Sequence, residues 1–239
     1  MGSLNFENGK IRRIAATFCV AYILIQVFQR FVFMSVPQPK NFAEELVLGS
    51  MPIHIWRSTL LLLSFFALIY VYAVIVFHEF KKSVLLYTTA FIGLLIFCFL
   101  EIGIRSVELF YTQIQLPTEF VNAKDELVKN SILDKYAAFQ SIKGALYFPL
   151  LFSQGISSAI IAYLFSTKQK ENYLIKVAFG VNAVRIAGRL GGMFLHVKWL
   201  DSFSGTLYLP LVIIIFGLLV FWFIKSKPDR TAAPRSVKQ

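Results

Sequence analysis

Cysteine and histidine are scarce in this 239-residue chain, and each scarcity narrows the chemistry open to it. The two cysteines, Cys19 and Cys98, stand inside apolar runs, so neither a disulfide framework nor a thiolate metal site is expected, and both read as packing residues. The three histidines, His54, His78 and His196, are scattered, with no His-x-x-x-His or Glu-x-x-His spacing, which argues against haem and zinc. There is no Gly-x-Ser-x-Gly elbow and no glycine-rich phosphate loop, so no cofactor is implied. Charge is thin at 15% of residues, and acids are the rarer sign, 13 against 24 Lys and Arg. Strand-like alternation long enough for an outer-membrane barrel is also missing.

Apolar residues fill the space these absences leave. The chain is 57% hydrophobic, with 25 Phe and a mean hydropathy of +0.66, a composition foreign to water-soluble domains. Several runs reach the roughly 20 residues needed to cross a hydrocarbon core of about 30 Å. The expected fold is therefore all-α: a polytopic membrane protein, a six-helix transmembrane bundle over residues 1–226 with a disordered basic cytoplasmic tail at 227–239. The six spans are read at Ile14–Val36, Thr59–Phe77, Val84–Phe110, Gly144–Phe165, Ile175–Leu195 and Thr206–Ile224. The first run is too long for a signal h-region and is expected to stay as a span, and Met1 to Phe6 lack a myristoylation pattern.

A net charge of +11 would suggest nucleic acid in a soluble chain, but here the basic residues gather at one end of the apolar runs. Thirteen fall on the side of the amino end, the Lys81-Lys82 turn, the 168–176 turn and the tail; seven fall opposite, beside seven acids. The positive-inside rule then puts both termini in the cytoplasm, with the chain in a cell inner membrane. The partners expected are membrane lipid and a small anionic ligand, not nucleic acid. In the long outer connection, residues 119–136 place Phe120, Leu127, Val128 and Ile132 near helical spacing, predicting an amphipathic helix on the outer surface.

Polar residues inside the spans mark the candidate site. At about 100° per residue, Asn182, Arg185, Arg189 and His196 fall within an arc of roughly 60° on the fifth span. Lipid cannot solvate such a stripe, so it must face protein or a wet cavity. On the third span Glu101, Arg105, Glu108, Thr112 and Gln115 share an arc of about 80°. The expectation is that Glu101 and Glu108 neutralise two of Arg105, Arg185 and Arg189 across a contact between third and fifth helices. The first span adds Tyr22, Gln26, Gln29 and Arg30, the second begins with Arg57 at the outer edge, and the fourth carries Lys143, Tyr147, Gln154, Ser157 and Ser158 on one face. Gly155 on that face permits close backbone approach.

Five arginines (Arg30, Arg57, Arg105, Arg185, Arg189) against two glutamates leave the region net positive. Because guanidinium groups grip carboxylate or phosphate bidentately, binding or transport of a small anion or anionic lipid headgroup through a pocket open to the outer side is the leading reading. A membrane-embedded enzyme acting at the outer leaflet, or a structural, partner-binding bundle held by its ion network, are the alternatives.

Two resemblances accompany this reading. The Arg-led second span (Ile55-Trp-Arg-Ser-Thr-Leu), the glutamate in the third (Phe99-Leu-Glu-Ile-Gly-Ile-Arg) and a fourth span ending Ala162-Tyr-Leu-Phe resemble an uncharacterised family of bacterial multi-pass membrane proteins defined only by a domain of unknown function. That resemblance implies a fold and no activity. The stretch Asn182-Ala-Val-Arg185-Ile, after Phe152-Ser-Gln-Gly-Ile-Ser-Ser158, resembles exosortases and archaeosortases, membrane transpeptidases with a nucleophilic cysteine on one helix and Asn-x-x-Arg on the next. Ser153 stands where those enzymes carry the cysteine, and His196 comes earlier than their pattern places a histidine. Serine without a base is a poor nucleophile, so the resemblance implies a catalytically silent relative ahead of an active transpeptidase.

Overall fold

Apolar runs punctuated by short polar turns produce helices and, among the described residues, no strand. The structure, a computed structural model, describes residues 9–165 and 170–225, the side chains of 198 and 201–204 excepted. The helices are α1 (Gly9–Ser35), α2 (Phe42–Gly49), α3 (Pro52–His78), α4 (Val84–Val107), α5 (Leu116–Asn122), α6 (Glu126–Leu164), α7 (Asn172–Phe194) and α8 (Lys198–Lys225). A 3₁₀ turn, Phe80–Lys82, follows α3, and a π-helical segment, Glu108–Gln115, joins α4 to α5. The chain is an all-α polytopic bundle. The 227–239 tail lies outside the described residues.

Five helical runs are long and apolar enough to cross a membrane: Gly9–Ser35, Pro52–His78, Val84–Asn122, Glu126–Leu164 and Gly205–Lys225. At 23 residues α7 has the length, about 34 Å at 1.5 Å per residue, but Asn182, Arg185 and Arg189 interrupt its apolar character. It packs between α6 and α8. The six long helices close a ring, α1 on α3, α3 on α4, α4 on α6, α6 on α7, α7 on α8, and α8 back on α1. Their inward faces form one apolar core that includes Leu68, Ile75, Tyr87, Leu94, Ile161, Ile175 and Trp222. Cys19 and Cys98 are both free and buried in that core.

Several boundaries differ from the sequence reading, each for a local reason. Pro52 sits in the first turn of α3, where its missing N–H costs nothing, so the helix starts well before Thr59 and Arg57 lies inside it. Pro117 cannot donate a backbone bond, and its ring crowds the carbonyl of Gln113 four residues back. The helix opens into π turns there, and the N–H of Leu116 reaches the carbonyl of Tyr111. The surface helix expected at 119–136 is not a separate element. α5 ends at Asn122, and Asp125 then caps the start of α6 by accepting from the N–H of Leu127 at 2.9 Å, so the rest belongs to the fourth span's own helix. Of the predicted apolar face Ile132 is buried, while Leu127 and Val128 are exposed.

With 39 residues α6 is about 58 Å long, and the continuous run from Val84 to Asn122 matches it. Both exceed a hydrocarbon core of about 30 Å by many residues. The excess projects at the end of the bundle away from the Lys81-Lys82 turn, here termed the distal end. There α2, capped by Asn41 accepting from the N–H of Glu44 at 2.9 Å, closes over α5 and α6 in a second small core of Leu46, Leu116, Ile132 and Tyr136. The opposite end is tied by Glu79, which accepts from Asn172 Nδ2 at 2.8 Å and from Tyr87 OH at 3.2 Å, while Trp222 Nε1 donates to Asn172 Oδ1 at 3.1 Å.

Candidate functional site

Inside the ring, toward the distal end, lies a cavity of ≈ 370 Å³. Its charged lining is Arg57 from α3, Glu101 and Arg105 from α4, Glu108 from the π segment, Lys143 from α6, and Arg185 and Arg189 from α7. Five cations thus surround a space that holds two carboxylates. A second chamber of ≈ 290 Å³ lies beneath α2 and the 36–39 connection, and Phe33, Arg57, Glu108 and Lys143 line both.

The carboxylates are engaged mainly by one arginine. Arg105 donates from Nε to Glu101 at 3.1 Å and from Nη1 to Glu108 at 2.6 Å, one turn to either side on its own helix. Such short charge-assisted contacts make the three side chains one block. Arg57 reaches Glu108 more loosely, at 3.8 Å, and rests its guanidinium 4.6 Å from the Phe33 ring centroid. Its Nε is buried with no hydrogen-bond partner, as are Oε1 of Gln29 on the inner chamber and Oε1 of Gln113 on the outer one. A buried polar atom without a partner is uncommon and calls for a water or a ligand.

The α7 arginines are held differently. Arg185 donates from Nε and Nη2 to Asn182 Oδ1 at 3.2 and 2.9 Å, and Asn182 Nδ2 donates to Ser158 Oγ on α6 at 2.8 Å. The carboxamide fixes the guanidinium without cancelling its charge. Tyr208 on α8 packs against both arginines, 5.5 Å from Arg185 and 6.0 Å from Arg189, and is itself oriented by donating its hydroxyl to Gln26 Oε1 at 3.0 Å. Among the described residues no carboxylate lies within ion-pair distance of either arginine. Close approach of α6 and α7 supports this arrangement, because a Cβ on Gly155 would stand 3.0 Å from Ile186 Cγ2.

Of the residues singled out from the sequence, Arg57, Glu101, Arg105, Glu108, Gln154, Arg185 and Arg189 line the inner chamber, and Asn182 stands behind Arg185 in a small recess that continues from it. Arg30 does not join them. Tyr22, Gln26 and Gln29 line the chamber, but Arg30 lies about 70° round the helix from their mean direction and is exposed. His196 is also exposed, since α7 ends at Phe194 and His196 takes a left-handed backbone with φ 53°, so the helical phase no longer applies to it. The third and fifth spans share a cavity rather than direct ion pairs: Glu101, Arg105, Glu108, Arg185 and Arg189 all line it, but α6 lies between α4 and α7, and among the described residues no ion pair joins the two helices. The π segment also shifts the phase of the third span. Gln113 faces the outer chamber, and Gln115 turns away to donate to Glu119 at 2.8 Å. Tyr208, which orients both α7 arginines, was not a sequence candidate, since a lone tyrosine in an apolar run carries no signal.

Ser153, the position resembling a transpeptidase nucleophile, donates back to the carbonyl of Leu150 at 3.0 Å and lines neither chamber. Comparison with known proteins finds no matching family model, no similar characterised protein and no similar solved structure.

Proposed function

We propose that this protein binds, and in its membrane transports, a small anion or an anionic lipid headgroup, held in the inner chamber by Arg185 and Arg189. In this reading all six long helices span the cell inner membrane, both termini are cytoplasmic, and the distal chambers open to the outer side. The basic residues at the Lys81-Lys82 end support that orientation. The observation that carries the function is the charge imbalance: two arginines one turn apart on α7 line a cavity with no carboxylate partner among the described residues, while the two carboxylates that line it are engaged by Arg105 and Arg57. An uncompensated guanidinium pair within the membrane is costly unless a counter-anion or water meets it, and its fork geometry fits phosphate or carboxylate.

An enzyme at the outer leaflet has less support, since neither Ser153 nor His196 reaches a chamber. The test is calorimetric titration of inorganic phosphate and of a dicarboxylate into the detergent-solubilised protein. Binding that weakens about 10- to 100-fold in Arg185→Gln or Arg189→Gln is expected, the loss of one charged hydrogen-bonding contact. Absence of binding to either anion would leave the bundle with a structural role.

A further inference from the structure

The two chambers differ in chemistry, and the difference describes a ligand. The inner one carries the unbalanced cations. The outer one is lined by as many carboxylates, Glu45 and Glu108, as cations, Arg57 and Lys143, and the remaining polar lining is neutral, with Gln113, Gln140, His54 and Tyr136 among it. Amides, imidazole and phenol arrayed around a charge-balanced space suit hydroxyl groups, which both donate and accept. Gln113 is 5% exposed, and its Oε1 has no partner, so an acceptor stands ready for an O–H. On the shared wall the orphaned Nε of Arg57 offers the complementary donor. Small-molecule pockets commonly enclose about 300–1,000 Å³. Each chamber alone sits at or near the foot of that range, and the two together fall well within it.

Resting on the anion-binding reading above, we infer that the two chambers hold one ligand: a phosphate ester of a polyhydroxylated compound, its phosphate at Arg185 and Arg189 and its hydroxyl-bearing part among Gln113, Gln140, His54 and Tyr136. The Arg57–Glu108 contact is the waist between them. At 3.8 Å it is loose enough for an incoming oxygen to share Arg57 with Glu108. Phe33, lining both chambers, offers an apolar face to the carbon skeleton at that point. The same chemistry belongs to a soluble sugar phosphate and to the headgroup of a phosphoinositide-like lipid.

Titrations of inorganic phosphate, glucose, glucose 6-phosphate and dihexanoyl phosphatidylinositol into the full-length protein in detergent test this. Glucose 6-phosphate is expected to bind at least about five-fold more tightly than inorganic phosphate, the worth of one further hydrogen bond. Gln113→Leu should remove that gain and leave phosphate binding unchanged, and if this variant does not fold, the less buried Gln140→Leu carries the same test. Arg185→Gln should weaken both phosphate and its ester. Tighter binding of the short-chain lipid than of glucose 6-phosphate would assign the source as a lipid headgroup, and the reverse order a free metabolite. Phosphate and its esters binding equally in the unaltered protein would overturn the two-chamber inference while sparing the anion site. Failure of phosphate itself to bind would overturn both.

Discussion

Arg57 on α3 stands 3.8 Å from Glu108 at the start of the π segment, and these two side chains line both the inner and the outer chamber. Glu108 is held more closely by Arg105, at 2.6 Å. The carboxylate therefore links two helices through cations of unequal grip. Removing it disturbs both stability and binding, in opposite senses.

Glu108→Gln should lower stability and raise anion affinity together. Arg57 and Arg105 lose their shared counter-charge in a buried setting, a change that costs about 3–5 kcal/mol where a buried pair is broken. The same two cations then become available to an anion. A fall in melting temperature in detergent, with a lower Kd for phosphate, is the expected pair of results; a weaker Kd would place Glu108 in the binding role instead.

Asn182→Ala tests whether the carboxamide positions Arg185. The change leaves Arg185 without its described acceptor and Ser158 Oγ without its donor, and should cost about 1–3 kcal/mol of stability. Phosphate affinity should drop by less than in Arg185→Gln, and Asn182→Asp should fold but lose anion binding because it neutralises the guanidinium.

Gly93→Ala is expected to strain the α4–α6 contact. An added Cβ would fall 2.1 Å from Ser157 Oγ and 3.1 Å from the Ser153 carbonyl oxygen, so a loss of about 1–3 kcal/mol follows from overpacking. Gly103→Ala, with nothing within 4 Å of an added Cβ, is the control and should hold or slightly raise the melting temperature, since alanine favours a helix interior over glycine by about 0.5–1 kcal/mol.

Glu79→Ala should loosen the end of the bundle opposite the chambers. Asn172 and Tyr87 both donate to this buried carboxylate, and their loss should cost about 2–4 kcal/mol in total. Hydrogen exchange is expected to rise around residues 79–87 and 172–176, with phosphate binding preserved.

Topology can be read by cysteine labelling in whole cells after Cys19→Ala and Cys98→Ala. A cysteine at Asp125 should react with an impermeant reagent from outside, and one at Lys225 should not. The reverse pattern would invert the bundle and turn its chambers to the cytoplasm.

What the sequence determined on its own is whatever depends on local chemistry. Apolar run length dictated helices, because a backbone in lipid must satisfy its own hydrogen bonds. The polar stripes on the third and fifth spans pointed to interior faces, since a charge facing lipid is too costly. That reasoning singled out Arg185, Arg189, Glu101 and Arg105, which all line one cavity. It failed where helical phase was interrupted. His196 lies beyond the end of α7, and the π turns ahead of Pro117 moved Gln113 rather than Gln115 to a chamber wall. It also failed at partners. Sequence gives the sign of each charge but not which helices touch, and the tertiary ring, by setting α6 between α4 and α7, closed the carboxylates onto Arg105 and Arg57 and left the α7 arginines to the cavity. Neighbour choice among six long helices is decided by side-chain fit over their whole length, and close approaches such as Gly93 on Ser157 become visible only once the helices are packed.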